Sequence, residues 1–411
     1  MKRKYAFVGA SGRGLSMYAR PLYNDFKDVA DLVGIYDPNP IRAKIVSEEC
    51  GDIPIFDDFD NMIEKSRPDA VIITTVDSYH HEYIIKSLEA DCDAIVEKPL
   101  TIDAKKCNEI IEAKQRSNKD IIVTFNVRYM PYFAKLKEIL KGGVIGEILN
   151  VDFEWILDQS HGADYFRRWH RYLNKSGGLL IHKASHHFDI LNWLIEQDPV
   201  KVYGLGDLKF YGPTRDERGE RCFTCEYKDS CEFYFDIEEN EFIRRFYFEA
   251  EKEDDYFRDR CVFSEEIDIY DTMSVNVAYS KGAQLTYSLV AYSPYEGWRA
   301  SFTGTKGRLE ASSYSSGQAS DSDTNTFKVI KSPSETITYE VSKVRGGHGG
   351  GDERLRNMIF REGVEDPLGQ MADLKAGIMS SIIGIAANES IETGEPVKMA
   401  DIIPVDELDN I

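Results

Sequence analysis

The sequence predicts an α/β protein in two parts: an amino-terminal doubly wound parallel sheet, then an α+β domain built on a large, mostly antiparallel sheet. Three observations predict it. Five short, continuous apolar runs separated by helical stretches fill the first 125 residues; a glycine turn follows the first run; and from Gly146 the pattern changes to alternating strands joined by turns. Continuous apolar runs indicate strands buried on both faces, as in a parallel sheet covered by helices, whereas alternation indicates a sheet with one solvated face. At 411 residues the chain is about 2.7 times a typical domain of ~150 residues. The expected division is residues 1–125 and 126–411.

The first run, Lys4 to Val8, ends in Gly9-Ala10-Ser11-Gly12-Arg13-Gly14, after which Met17, Leu22 and Phe26 suggest a helix. The second, Ala30 to Tyr36, stops at Asp37-Pro38, and the third, Ala70 to Thr74, leads into a helical stretch ending near Glu89. Ala94 to Val96 forms the fourth and Ile121 to Phe125 the fifth. Beyond Gly146, Ile148 to Ile156 alternates as a strand, Gly178 to Leu194 reads as one helix, and Val275 to Ala291 and Trp298 to Glu310 read as strands. Residues 205–265, rich in charge and aromatic side chains, read as an insertion, and 311–326 as a polar loop.

Fifty Lys and Arg against 71 Asp and Glu give a net charge of −21, which repels phosphate backbones and anionic lipid and excludes nucleic acid as a partner. No run approaches the ~18 apolar residues of a membrane span, and the glycine turn comes too early for a signal peptide. With Cys50, Cys92 and Cys107 scattered singly, the expected compartment is the reducing cytoplasm.

A glycine turn between strand and helix lets backbone N–H groups approach a pyrophosphate at the positive end of the helix dipole. Here Gly9, Ser11, Gly12, Arg13 and Gly14 depart from Gly-x-Gly-x-x-Gly, with serine in the middle position. Asp37 stands 23 residues beyond Gly14. At the end of the second strand its carboxylate can accept both hydroxyls of an adenosine ribose and would repel a 2′-phosphate, which favours NAD in a Rossmann domain. Arg13 and Arg42 leave NADP open, because a guanidinium there would compensate the phosphate.

Further along, Thr75-Val76-Asp77-Ser78-Tyr79-His80, Glu97-Lys98-Pro99-Leu100, Asn126-Val127-Arg128-Tyr129-Met130-Pro131 and Gly143-Val144-Ile145-Gly146-Glu147 occur in order, followed by Gly177-Gly178 and a His-bearing helix. This combination resembles the Gfo/Idh/MocA family of glucose–fructose oxidoreductase and inositol dehydrogenase relatives, whose Thr-Pro-Asn-x-x-His the segment Thr75 to His80 matches with Asp77 in place of the asparagine. The resemblance implies a nicotinamide dinucleotide whose ring faces the second domain's sheet, a sugar, sugar derivative or cyclic polyol as substrate, and a homo-oligomer. It also implies that Thr75, Asp77, His80, Glu97, Lys98 and Asn126 border the cofactor, that Lys98 reaches the reacting hydroxyl, and that Arg128 and Tyr129 border the substrate. A nearby ammonium stabilises a developing alkoxide.

Where the family carries Asp-x-x-x-His, this chain has His182-Lys183-Ala184-Ser185-His186, continuing to His187. On one helix, residues 182 and 186 share a face. A neutral His186 can take the hydroxyl proton as general base, while His182 lacks the negative charge of the usual aspartate. Lys183, His187 and the segment His161 to His170, with Arg168, Trp169 and His170, are further candidates for the pocket, as is His348-Gly349-Gly350-Gly351-Asp352. Two other functions fit the same residues: an NAD-dependent glycoside hydrolase or lyase working by transient oxidation, and a sugar or nucleotide sensor without turnover.

Cys222, Cys225 and Cys231 fall within ten residues, and Cys261 follows thirty later. Four thiolates would suit a structural zinc pinning the insertion, or an iron–sulfur cluster.

Overall fold

The computed structural model describes residues 1–317, 320, 322–405 and 408. Its first sheet has six parallel strands: β1 (Arg3–Val8), β2 (Ala30–Tyr36), β3 (Ile55–Phe56), β4 (Ala70–Ile73), β5 (Asp93–Val96) and β6 (Ile121–Val123). They are ordered β3-β2-β1-β4-β5-β6. Every residue of β4 is buried, as the unbroken apolar pattern requires. The order reverses between β1 and β4, and at such a switch point the carboxyl ends of the strands open a crevice that ligands can enter. The glycine turn, Thr75 and Glu97-Lys98 all leave their strands there. The two-residue β3, which the sequence pattern does not reveal, adds one edge.

The second sheet has nine strands: β7 (Ile148–Asp158), β8 (Pro199–Asp207), β9 (Thr272–Tyr279), β10 (Gln284–Ser293), β11 (Gly297–Gly304), β12 (Gly307–Tyr314), β13 (Thr324–Ser332), β14 (Glu335–Ser342) and β15 (Val397–Lys398). Their order is β14-β13-β12-β11-β7-β10-β9-β8-β15, and only β7 and β10 run parallel. Phe153, Tyr287 and Trp298 stack across β7, β10 and β11 on the buried face. Helices Ala184–Ile195 and Leu374–Thr393 pack over that side of the fold, while Glu154 and Arg299 pair on the opposite, solvated face. None of the described helices is long and apolar enough to cross a membrane.

Two elements differ from expectation. The segment Gly178 to Leu194 is two helices, Leu179–His182 and Ala184–Ile195, meeting at Lys183. The ladder breaks because Lys98 Nζ donates to the His182 carbonyl at 2.9 Å, and the His186 N–H bonds the Lys183 carbonyl instead. The expected loop 311–326 is shortened at both ends by β12 and β13; of it, Gln318, Ala319 and Asp321 lie outside the described residues.

The insertion between β8 and β9 is irregular, and among the described residues its cysteines do not form the expected metal site. Cys222, Cys225, Cys231 and Cys261 are free thiols around one cavity of about 20 Å³. Among the described residues no three His, Cys, Asp or Glu side chains are placed to ligate a metal. Arg167 instead donates to Cys222 Sγ at 3.3 Å, and burial raises the Cys222 thiol pKa, opposing thiolate formation. Ion pairs and aromatic contacts supply the cohesion. Arg221 bridges Asp259 and Glu251, Arg215 stacks 3.7 Å over Phe263, and Asp271 accepts the N–H groups of Lys209, Phe210 and Tyr211.

Between the two sheets, Arg128 and Asp189 form a bidentate pair at 2.8 and 2.6 Å, with side chains 7% and 1% exposed. Removing one partner strands the other charge in the interior. Asp189→Ala is therefore expected to cost about 3–5 kcal/mol of stability, read as a lower urea midpoint at unchanged slope. A loss under about 1 kcal/mol would show that Arg128 finds another partner.

Candidate active site

The crevice is built first from the glycine turn. Gly9 leaves β1 with φ +91°, and a Cβ there would lie 2.6 Å from the Thr75 nitrogen. Ser11 replaces the usual middle glycine usefully: its Oγ accepts the Gly14 N–H at 2.9 Å and caps the helical run that begins at Gly12. At Gly14 a Cβ would stand 2.4 Å from Thr74 Oγ1, so only glycine lets the helix seat on the strands. Asp37 ends β2 beside this turn, accepting the N–H groups of Ala10 at 2.6 Å and Asn39 at 2.7 Å, and burial raises its pKa. A bare cradle and an acid at its far edge fit a dinucleotide.

Two of the basic residues at this turn face inward. Arg13 donates to Glu97 at 3.1 Å and to both oxygens of Asp352 at 2.9 and 3.0 Å. Arg42 pairs with Asp254 of the insertion and lies over the Tyr256 ring. Asn126 donates to Asp352 at 2.6 Å, so this carboxylate, carried by the segment His348 to Asp352, is the hub of the network. His348 approaches it at 3.2 Å, and these partners hold the Asp352 pKa far below the usual carboxylate range.

At the ends of β4 and β5, His80 ties two loops together. Its Nδ1 donates to the Pro99 carbonyl at 2.8 Å, its Nε2 lies 3.2 Å from the Thr75 carbonyl, and burial lowers its pKa to about 4. Glu97 also accepts the Tyr18 hydroxyl at 2.8 Å. Lys98 reaches across to the helix Leu179–His182: its Nζ is 2.9 Å from the His182 carbonyl and 3.5 Å from His182 Nε2. On the other side of that ring, His182 Nδ1 is 2.6 Å from Asp77. The charge that His182 lacks relative to the family pattern is thus supplied from the loop after β4. Burial disfavours the imidazolium at His182, and Lys98 disfavours it further. Burial raises the Asp77 pKa, while Lys98 and Arg168 oppose that rise. Lys98 Nζ can only donate, so the nitrogen it faces, Nε2, keeps the lone pair and the ring proton sits on Nδ1 toward Asp77.

His170 lies edge-on to His182, ring centres 4.1 Å apart, and stacks on Trp169 at 3.8 Å. Arg168 reaches Asp164 at 3.2 Å. His161 bonds Glu296 at 2.9 Å and the Tyr165 hydroxyl at 3.1 Å, giving the pocket a polar wall. Lys183 lies 5.0 Å above the Trp155 ring, with its pKa lowered to about 8 by burial. His186 is buried beside Phe125, and its Nδ1 has no hydrogen-bond partner.

Three expected site residues are placed elsewhere. Arg128 is taken up by Asp189, Tyr129 is 2% exposed in an apolar cluster, and His187 stacks on Trp155 at 4.2 Å and bonds the Tyr287 hydroxyl at 2.8 Å. Sequence reasoning missed Tyr247, Asp254, Tyr256 and Arg258, which the insertion brings to the crevice. Their one available signal was an unusual density of aromatic and charged residues between 241 and 258.

Comparison with known proteins places both halves of the chain in one family. Residues 3–125 match the oxidoreductase family with NAD-binding Rossmann fold, and residues 137–399 match its C-terminal alpha/beta domain. The chain is 36% identical over 97% of its length to a Bacillus subtilis protein bearing the name oxidoreductase YteT, covering 98% of that protein. It is 28% identical, over 48% of its length and 54% of the other's, to inositol 2-dehydrogenase of Rubrobacter xylanophilus. It shares its fold with an Agrobacterium radiobacter oxidoreductase crystallised with NAD+, L-tartaric acid and magnesium, at TM-score 0.67 and 15% identity, covering 98% of this chain and all of that one. With a glycine cradle that fits a dinucleotide and both domain types matched along the chain, this protein belongs to the Gfo/Idh/MocA family of NAD-binding oxidoreductases.

Proposed function

We propose that this protein is an NAD-dependent dehydrogenase that moves a hydride between its coenzyme and a hydroxyl-bearing carbon of a sugar, sugar derivative or cyclic polyol. The observation that carries the reading is the line Asp77–His182–Lys98, which places a carboxylate, an imidazole and an ammonium in contact at the carboxyl ends of β4 and β5. Bound across the glycine turn, the nicotinamide supplies the hydride acceptor. Everything else falls to side chains of this chain.

Lys98 hydrogen-bonds the substrate hydroxyl and steadies negative charge as the proton leaves. His182, with its lone pair at Nε2, accepts that proton, and Asp77 stabilises the imidazolium that results. His186, which has no acidic neighbour to stabilise its charged form, contacts substrate as a neutral ring. The His161–Glu296 pair offers hydroxyl partners to a sugar. Asp37 selects NAD by accepting the ribose hydroxyls. The open face of the nine-stranded sheet, where Glu154 pairs with Arg299, is the surface we assign to self-association.

Lys98→Met is expected to lower kcat by about 10²–10³-fold in a nicotinamide absorbance assay over a panel of cyclitols, aldoses and uronates. NADH affinity by fluorescence titration should stay within about threefold; a variant that turns over normally would remove Lys98 from the mechanism. Asp77→Asn, which keeps shape but loses charge, should lower kcat by about 10²–10⁴-fold while coenzyme affinity holds, and an unchanged kcat would sink the proton-acceptor role of His182.

Neutrality of the buried imidazoles has its own readout. Burial holds His170, His182, His186 and His187 well below their ordinary value, with Arg168, Lys98 or Lys183 adding to the shift. Below about pH 6.5 the unfolded chain protonates these rings and the folded chain does not, so their stabilisation is complete above that pH and is lost as pH falls. Each contributes up to about 1.4 kcal/mol per pH unit. Urea unfolding at pH 7.5 and 5.5 should therefore show a marked loss at the lower pH, and equal midpoints would show that the rings are protonated in the folded protein.

A further inference from the structure

The insertion does not stay with the domain that carries it. Between Asn240 and Arg258 it crosses to the nucleotide-binding half and touches it repeatedly, three of the contacts lying in succession along one path. Asp254 pairs with Arg42, the Ala250 carbonyl accepts the Asn39 amide at 2.9 Å, and the Tyr247 hydroxyl stands 2.9 Å from where a Cβ on Gly12 would be. The first two contacts lie on the helix that follows Asp37; the third lies on the glycine turn. Phe246 and Tyr247 belong to the same apolar cluster as Leu15 and Tyr18 of the first domain. The strap therefore runs over the path from the adenosine ribose to the diphosphate.

It also brings charge. Arg258 and Arg168 both bond Asp164, so two guanidiniums share one carboxylate. Arg258 lies 5.8 Å from the Tyr247 ring, its side chain is 10% exposed, and its Nη1 has no hydrogen-bond partner. A buried guanidinium N–H without an acceptor, one aromatic ring away from a glycine turn, is placed for an anion. The strap is held rigid behind it, because Arg221 bonds Asp259 at 3.0 Å and Glu251 at 3.0 and 2.9 Å.

We propose that Tyr247 and Arg258 are the second half of the coenzyme site, clasping the diphosphate against the glycine turn so that the nucleotide leaves slowly. The proposal rests on the NAD-dependent reading above. It assigns coenzyme binding to a segment outside the NAD-binding domain, and it gives the insertion a task that a metal-pinned surface loop would not have. Tyr247 supplies a hydroxyl donor and Arg258 a fixed positive charge; Asp254 and Ala250 anchor the strap without touching the phosphates.

The test is the release rate of NADH from the full chain, followed by loss of its fluorescence when an excess of NAD+ is added. Arg258→Gln and Tyr247→Phe should each speed release by about tenfold or more, the loss of one hydrogen bond to a charged group, and Arg258→Lys should recover part of the effect. Unfolding midpoints measured without nucleotide identify any variant that has simply lost its fold, and Tyr247→Phe, which removes one oxygen, keeps the test open if Arg258→Gln does. Release rates equal to wild type in folded Arg258→Gln and Tyr247→Phe would overturn the clasp while leaving the NAD-dependent reading intact. A wild-type chain, stripped of nucleotide and folded, that takes up neither NADH nor NAD+ would overturn both.

Discussion

The contact between Asp77 and His182 joins residues 105 positions apart and sets what the crevice can do. For it to form, β4 must end where it does, the loop after it must turn toward the second domain, and the helix carrying His182 must stop one residue later. Lys98 enforces that stop by taking the His182 carbonyl, so the ammonium that faces the ring also fixes the ring's backbone. Side-chain exposures of 4% for Asp77 and 11% for His182 keep water from screening the pair, and charge–charge interactions strengthen accordingly. Relative to the family pattern, this chain has aspartate for asparagine at 77 and histidine for aspartate at 182. Each change alone would alter the charge of the site. Together they keep one carboxylate and move it from the helix to the loop.

The insertion shows the same economy at longer range. Rich in charge and aromatic rings, it has little core of its own, which is why four clustered cysteines invite the idea of a metal. The structure uses other means: a buried Arg221 with two carboxylate partners, stacked rings, and anchorage to the opposite domain through Asn39 and Arg42. Because those anchors are on the nucleotide-binding half, any opening between the two sheets must break them.

Much of the fold was legible because burial on both faces writes itself into sequence as unbroken apolar runs, and all five such runs are strands of the parallel sheet. A two-residue edge strand leaves no such mark, and β3 went unseen. The glycine turn and Asp37 were legible because each directly ends an apolar strand run, a local signal that does not depend on knowing their partners. Side chains whose fate depends on distant partners were not. Arg128 looks like a ligand-binding residue until Asp189, 61 positions away, is found to hold it. The meeting of Asp77 with His182, 105 positions away, leaves no local mark either. One long helix from Gly178 is a fair inference from apolar spacing alone, since nothing in that spacing records an ammonium from another domain capturing one carbonyl.

The cations around the imidazoles carry a further consequence for chemistry. A base must be unprotonated before the reaction and charged after its proton transfer, and burial alone serves only the first condition. Lys98 and Arg168 reinforce it by repelling the imidazolium of His182. Left uncompensated, that repulsion would also oppose the protonated state reached during turnover. In the mechanism proposed above, Asp77 removes the conflict, because its attraction for the ring grows when the ring becomes charged, while Lys98 at the same moment faces the oxygen that has lost its proton. Resting neutrality and reacting charge are thus served by different neighbours, placed on opposite nitrogens of one ring, and that division requires the two domains to meet along this line.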